Sequence, residues 1–333
     1  MRYKLLVLAI VLFLSSLDLQ AGPKWERFKN WVDSADIKGA DTNYVSLPKQ
    51  GFLGSLNFNQ IGSRIKVSDG QRLLIDSDWD LSGSLTSHLA TLSLGVQYRG
   101  WGFSYTRDLK NSGDYEFSYS SYGQAYGAEV RMTRSSSLSG RLTDFSVNEP
   151  DKEVELEAGM VHRHSTILNL YYVFSHRKFS LPAAMSYTVI QRQSSGSLLA
   201  VFNFHRTHLR LSDDPLSSII GFNYLSSVQC SLGGGYAYNY VFGSQRFLLH
   251  GSVMPMLVFY QRNRFYFGDE GQKSDMGQRI SLNANAHLSF VYNVSRYVIG
   301  TSSVFNFDTM RATRGFSLYS TDWSSNFFVG MRF

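Results

Sequence analysis

The stretch 323–333, reading WSSNFFVGMRF, decides the fold. Phe327, Val329, Met331 and Phe333 alternate with Ser324, Asn326, Phe328, Gly330 and Arg332, giving a mostly apolar and a mostly polar face at the two-residue period of a strand. A soluble sheet rarely follows an apolar ladder directly with the terminal carboxylate. The last strand of an outer-membrane barrel does so, because it pairs with the first strand and sets an aromatic at the membrane interface. The alternative is the final strand of a soluble β-sandwich.

Composition points the same way. Aromatics make up 15% of the 333 residues, while charged residues are 17%, against roughly 25% in an average soluble protein. Beyond the N-terminus no apolar run approaches the roughly 18 residues of a membrane helix, so a membrane-spanning chain must span as strands. The first 21 residues carry Arg2 and Lys4, an apolar run over 5–14, then Gln20, Ala21 and Gly22, the pattern of a signal peptide cleaved after Ala21. Cys230 is the only cysteine, so neither an internal disulfide nor a lipid attachment site near the leader is expected. The net charge of +6 is dispersed and contains no basic run, which argues against a nucleic-acid partner.

Residues 22–50 read as a periplasmic helix and linker, with Trp25, Phe28 and Val32 near one helical face and Pro23 suited to a first turn. Residues 51–333 read as an antiparallel up-and-down transmembrane barrel of about 14 strands, with 12 as the alternative. The candidates are 53–67, 89–98, 101–108, 114–121, 124–134, 154–163, 166–174, 183–191, 197–206, 226–240, 245–259, 278–292, 295–307 and 322–333. Links alternate between short and long, as periplasmic turns and extracellular loops do. The short ones include Arg99-Gly100, Tyr122-Gly123, His164-Ser165 and 241–244. Aromatics gather on the short-turn side as an interfacial girdle: Tyr98, Trp101, Tyr240, Phe247, Tyr292, Tyr297 and Phe333, with Tyr122 and Tyr126 nearby. Two strands read less cleanly. The first changes phase near Gln60-Ile61, as a bulge would, and the strand from Ser295 is apolar on both faces.

Glu116, Glu129, Arg131, Glu155, Glu157 and Arg279 are expected to face the lumen, where both signs can pair across it and close it or line a solute path. His287 and Ser289, two apart on one face, have the spacing by which a base can serve a serine nucleophile, but their neighbours assign that face to the lumen rather than to lipid. Asp76, Asp78 and Asp80 form a DxDxD run suited to calcium, yet Leu81 and Ser87 occupy positions where the helix-loop-helix motif needs Gly and Glu, so a solvated acidic loop is the better reading. Gly233, Gly234 and Gly235 lack the GxxxxGK context of a phosphate loop. No cofactor is implied.

The segment 171–199, YYVFSHRKFSLPAAMSYTVIQRQSSGSLL, resembles a family of Bacteroidetes envelope proteins known as a domain of unknown function. DTNYV from Asp41, GGGYAYNYVF from Gly233 and LLHGSVMPMLVFY from Leu248 extend the resemblance over most of the mature chain, with Ser175 where members tend to have Asn. The resemblance implies an outer-membrane barrel and carries no catalytic residue with it. The expectation is a non-enzymatic barrel of the outer membrane, a narrow pore or a structural or interaction protein, surrounded by outer-membrane lipid and recognised by the barrel-assembly machinery through its C-terminal strand. The rivals are a lipid hydrolase using His287 and Ser289, and a soluble exported β-protein. Oligomeric state is left open.

Overall fold

The structure, a computed structural model, describes Arg27 and residues 39–68, 79–110, 113–146, 152–211, 224–267, 272–276, 281–294, 296–311 and 317–333. Its elements in chain order are β1 (Val45–Ser46), β2 (Phe52–Ser68), β3 (Trp79–Tyr98), β4 (Trp101–Asp108), β5 (Tyr115–Tyr122), β6 (Tyr126–Ser135), β7 (Ser139–Ser146), β8 (Lys152–Leu156) and β9 (Val161–Val173). There follow α1 (Leu181–Met185), β10 (Ile190–Gln191), β11 (Ser195–Leu211), β12 (Tyr224–Phe242), β13 (Phe247–Phe267), β14 (Gln272–Met276), β15 (Ser281–Val294), β16 (Tyr297–Arg311) and β17 (Ser317–Arg332). The proposed signal peptide at 1–21 and the helix at 23–34 lie outside the described residues.

Twelve of these strands close an antiparallel barrel in the order β2-β17-β16-β15-β13-β12-β11-β9-β6-β5-β4-β3, and β3 returns to β2. The closing seam runs from Ser317 opposite Ser68 to Arg332 opposite Leu53. It ends where Phe333 and Phe52 exchange backbone hydrogen bonds of 3.1 and 3.2 Å and stack their rings at 5.8 Å. Closure removes the sheet edges, so the strand ladders satisfy the wall's backbone groups without water.

The count is 12 rather than 14 for two reasons. His164-Ser165 is not a turn: β9 runs through it unbroken, and Ser165 pairs with Thr207 and Thr133 on either side. Residues 183–191 do not join the wall at all, since Ala183 lies in α1 and Ile190 and Gln191 pair only with β1. Outside the barrel, β7 extends the upper part of β3, where β4 to β6 are short, and β8 pairs with β7 while β14 pairs with β13. The expected phase change at Gln60-Ile61 is absent, because β2 keeps its odd-numbered residues inward throughout. The bulge lies instead between Cys230 and Ser231, where β12 meets the extra residue Phe259 of β13.

Outward side chains such as Leu56, Leu92, Phe103, Leu257, Leu282 and Phe327 are exposed all the way round. A continuous apolar belt of this kind is far larger than a soluble monomer tolerates, and its natural solvent is lipid. The chain is an outer-membrane β-barrel. At one end sit both barrel termini and the tight turns 99–100, 123–125 and 243–246, with Arg99, Ser244 and Gln245 at positive φ closing two of them. In outer-membrane barrels this end is periplasmic. Aromatics cluster at this end: Tyr98 meets Phe52 at 4.5 Å, Phe247 meets Tyr292 at 4.8 Å, and Trp101, Tyr240, Tyr297 and Phe333 are exposed. Tyr122 is the exception, turned inward and 4% exposed, unlike the outward Tyr126.

The inner wall changes chemistry along the axis. Near the tight turns it is apolar, with Leu53, Leu248, Val291, Val298 and Phe328 all buried. Further out it becomes hydroxyl and amide, as in Asn57, Asn59, Ser93, Asn283 and Asn306, and then charged, with Arg163, Asp322 and Asp308. This layering is why β16 looks apolar on both faces: Val298 has something apolar to cover inside the barrel.

Candidate functional site

What Val298 covers is the connection between β9 and β11, which is not a short turn but a folded insert, residues 174–194. After a turn in which the amides of Lys178 and Phe179 both donate to the Ser175 carbonyl at 3.0 Å, Ser180 caps α1 by accepting from the Ala183 amide, and Pro182 sits in the first turn, where its missing N–H costs nothing. The chain leaves α1 through Tyr187 at a φ of 60° and returns as β10, which pairs with β1 from the N-terminal side of the barrel: Val45 lies opposite Gln191 and Ser46 opposite Ile190. Two separate stretches, 39–51 and 174–194, thus meet inside the periplasmic mouth.

This plug is held by apolar burial and by a few polar pins. Val45, Leu181, Ala183, Ala184 and Val189 are each at most 2% exposed and pack with Leu53, Leu248, Val291, Val298, Val173, Leu199 and Met254 of the wall. Each fully buried aliphatic side chain of Val or Leu size contributes about 1.5–3 kcal/mol. Tyr187 stacks on Phe328 at 4.1 Å, and Gly300 allows this, since a Cβ there would come within 2.7 Å of the Phe328 ring. Burial pushes the Tyr187 phenol up to about 12, so it stays neutral in the stack.

The pins are specific. Arg332, 1% exposed, donates to the Tyr187 carbonyl at 2.8 Å and to Asn293 at 2.6 Å. Gln191 accepts from the Ser180 amide at 2.8 Å and donates to the carbonyls of Lys178 and Gln193 at 2.6 and 2.9 Å. Asn239 of β12 donates to Gln191 and to the Ser180 carbonyl, and its oxygen therefore accepts from His250 Nδ1 at 2.7 Å, which fixes the imidazole tautomer. Asp41 and Arg192 tie the two stretches together, through Asp41 N to Arg177 O and Arg192 N to Tyr44 O, both at 2.7 Å.

Above the plug lies a chamber of about 300 Å³, walled by the continuous run of strands β15-β16-β17-β2-β3-β4-β5-β6-β9. Toward the long-loop end a brace crosses the lumen. Arg163 of β9 reaches Asp322 of β17, six strands round the barrel, with two hydrogen bonds of 3.0 Å, and His205 of β11 lies 3.7 Å from Asp308 of β16. Ser63 joins the brace by bonding to Asp322. Beside it Ile65, Leu85, Leu138, Leu156 and Val161 form a small apolar cluster at the outer end.

The residues singled out by sequence divide three ways. Glu116, Glu129 and Arg131 do face the chamber, but they pair along one wall rather than across it: Arg131 is 2.8 Å from Glu129 and 3.7 Å from Glu116, all on the neighbouring strands β5 and β6. Glu155, in β8, and Glu157, just after it, stand exposed outside the barrel wall, and the expectation that they face the lumen is corrected; they flank Leu156, which turns into the outer apolar cluster. Arg279, Asp76 and Asp78 lie outside the described residues, and Asp80 is described only as a strand residue of β3 opposite Phe145. His287 and Ser289 are buried and turned into the lumen as the strand pattern required; Ser289 donates its hydroxyl to the Ala184 carbonyl of the plug at 3.3 Å, and His287 lies 5.1 Å from His250, ring to ring. Among the described residues no cluster of three metal-ligating side chains is present.

The residues that build the site and were missed are Arg163, Asp322, Arg332, Gln191 and Tyr187. Arg163 was hidden because HRHS reads as a turn. The plug had its own signal: Ser180 followed by Leu181-Pro182 is a helix start, not a strand.

Residues 39–333 match Domain of unknown function (DUF4421), a span that takes in both halves of the plug and the whole barrel. The chain belongs to the DUF4421 family. No curated protein matches the DUF4421 chain. Among solved structures it is similar to the outer membrane protease OmpT from Escherichia coli, at 10% identity and a TM-score of 0.46 over 86% of this chain and 98% of that one. It is also similar to an outer membrane channel from Pseudomonas putida F1, at 12% identity and a TM-score of 0.34 over 88% and 99%, and to the Pseudomonas putida toluene transporter TodX, at 12% and 0.33 over 85% and 90%. At such identities nothing of those proteins' activities transfers to this DUF4421 chain.

Proposed function

We propose that the protein is a non-enzymatic gated pore of the outer membrane, held shut at rest by the plug rather than by charges paired across an open lumen. The observation that carries this reading is the seating of residues 174–194 in the periplasmic mouth, pinned by Arg332 from the last strand and by Asn239 from β12. Neither pin is covalent, and the plug is joined to the N-terminal stretch by a two-residue strand pairing and a few hydrogen bonds, none of them part of the barrel's strand ladder, so it can leave the mouth without breaking the wall. The hydrolase reading is disfavoured because Ser289, 2% exposed, has its hydroxyl committed to the plug and faces the lumen rather than lipid. Export by a signal peptide and delivery by the barrel-assembly machinery through β17 complete the proposal.

Planar-bilayer recording tests it. Wild-type protein is expected to show no stable openings, whereas a variant in which residues 175–193 are replaced by a two-residue Asn-Gly turn joining β9 to β11 is expected to conduct steadily. Silence in that variant, with the barrel still folded, would move the protein to the structural-barrel class.

A further inference from the structure

The chamber above the plug is more selective than a passage needs to be. Its buried charged side chains are already engaged: Arg131 with Glu129 and Glu116, Arg163 with Asp322, Asp114 with the amide and hydroxyl of Ser136, and Asp108 with the Lys110 amide, while Arg134, which also lines the chamber, is exposed. An ionic ligand would have to compete with those contacts for a buried counter-charge. The rest of the wall is hydroxyl and amide, and much of it is cross-linked into pairs such as Ser104 with Ser118 at 2.6 Å and Ser93 with Thr106 at 2.7 Å, which hold the surface rigid.

Against that background a few wall atoms stand out. Gln97 Oε1, Asn326 Oδ1, His287 Nδ1 and Arg163 Nε are buried, belong to residues lining this one chamber, and are reached by no donor or acceptor of the described residues. Asn326 and His287, on β17 and β15, lie across the lumen from the Arg131 cluster on β6, and Gln97 stands between them on β3. An unsatisfied buried polar atom costs about 1–3 kcal/mol, so several on one wall are a demand for hydrogen-bonding groups from something else. The two amide oxygens require donors, and Arg163 Nε requires an acceptor. A hydroxyl is both.

We propose that the chamber is a binding site for a neutral polyhydroxylated small molecule of the size of a mono- or disaccharide, resting on the plug. A volume of about 300 Å³ is at the small end of ligand pockets and is room for on the order of ten waters or for one such molecule. The site deepens the gated-pore reading by naming the solute class, but its occupancy is measured on the closed wild-type protein and stands or falls separately from conductance.

Equilibrium dialysis of the full-length protein in detergent decides it, because dialysis reaches equilibrium even if access is slow. The probes are tritiated glucose and maltose, with gluconate as the anionic control and glucosamine as the cationic one. Saturable binding of one neutral sugar per chain is expected, with both charged analogues weaker. Ser118→Phe, which fills the chamber, and Asn326→Leu, which removes an uncommitted acceptor, are each expected to weaken that binding about tenfold or more. The heat-dependent shift in gel mobility identifies folded protein in every sample, and Gln97→Leu replaces either variant that fails to fold. No saturable sugar binding to folded wild type, undiminished binding in the chamber variants, or tighter binding of gluconate or glucosamine would overturn the proposal.

Discussion

The periplasmic mouth and the chamber share the same twelve strands, yet they are sealed and furnished by opposite chemistry. At the mouth the wall turns Leu53, Leu248, Val291, Val298 and Phe328 inward onto an apolar insert. Four to eight residues further along the same strands, roughly 13–26 Å, it turns Asn57, Ser302 and Asn306 inward onto a polar space. The contrast shows that inward polarity along a barrel strand is set by what fills each level of the lumen, not by the strand. It also separates two kinds of closure. The plug is a core, stabilised by burial and shape, whereas the Arg163–Asp322 brace is a partly buried ion pair, 14% and 21% exposed, stabilised mainly by geometry.

If that contrast is right, substitutions at the two levels differ in size and in kind. The largest effect is expected for Phe328→Ala, which removes the ring stacked on Tyr187 and opens a cavity between plug and wall. Large-to-small changes of this type cost about 3–5 kcal/mol, and the urea midpoint of the detergent-folded barrel should fall accordingly, with flickering openings in bilayers. Arg332→Ala follows, since it strips the Tyr187 carbonyl and Asn293 of a charged donor, at about 1.5–3 kcal/mol in all. Plug loosening, seen as faster hydrogen exchange over 181–191 with the strand amides still protected, is its expected signature.

Breaking the brace should do less. Asp322→Asn is expected to cost about 1–2 kcal/mol, because the partly exposed Arg163 left behind regains water, and to leave the closed state unchanged. The smallest effect is expected for Arg131→Ala: less than about 1 kcal/mol in stability and no conductance, since its pairing runs along one wall and holds nothing shut. Stable openings in Arg131→Ala with a silent Phe328→Ala would invert the comparison and restore charge pairing as the seal.

The sequence was legible where one chemistry ran the length of a strand. In β17 the outward Phe327, Val329 and Met331, with Phe333 just after it, were visible at once, as was their seam with the first strand. In β9 the polar run from His162 to Ser165 looked like a turn, because outward histidines near the outer end need no lipid and inward Arg163 needs a partner six strands away that no local pattern reveals. The plug was hardest. Its short helix has the same apolar residues as a strand, and the inward apolar wall that receives it looked like noise in the alternation until the insert supplied the reason.

Double-cysteine trapping between plug and wall tests the central claim most directly. The Ala184 carbonyl accepts from the Ser289 hydroxyl at 3.3 Å, so Ala184→Cys with Ser289→Cys, in a Cys230→Ser background, should form a disulfide in intact outer membranes on mild oxidation. The account predicts a reductant-sensitive cross-link in most of the folded protein, with residue 184 shielded from a water-soluble maleimide beforehand. No cross-link, with ready labelling at 184, would show that the insert lies outside the lumen and that the barrel is not closed by it.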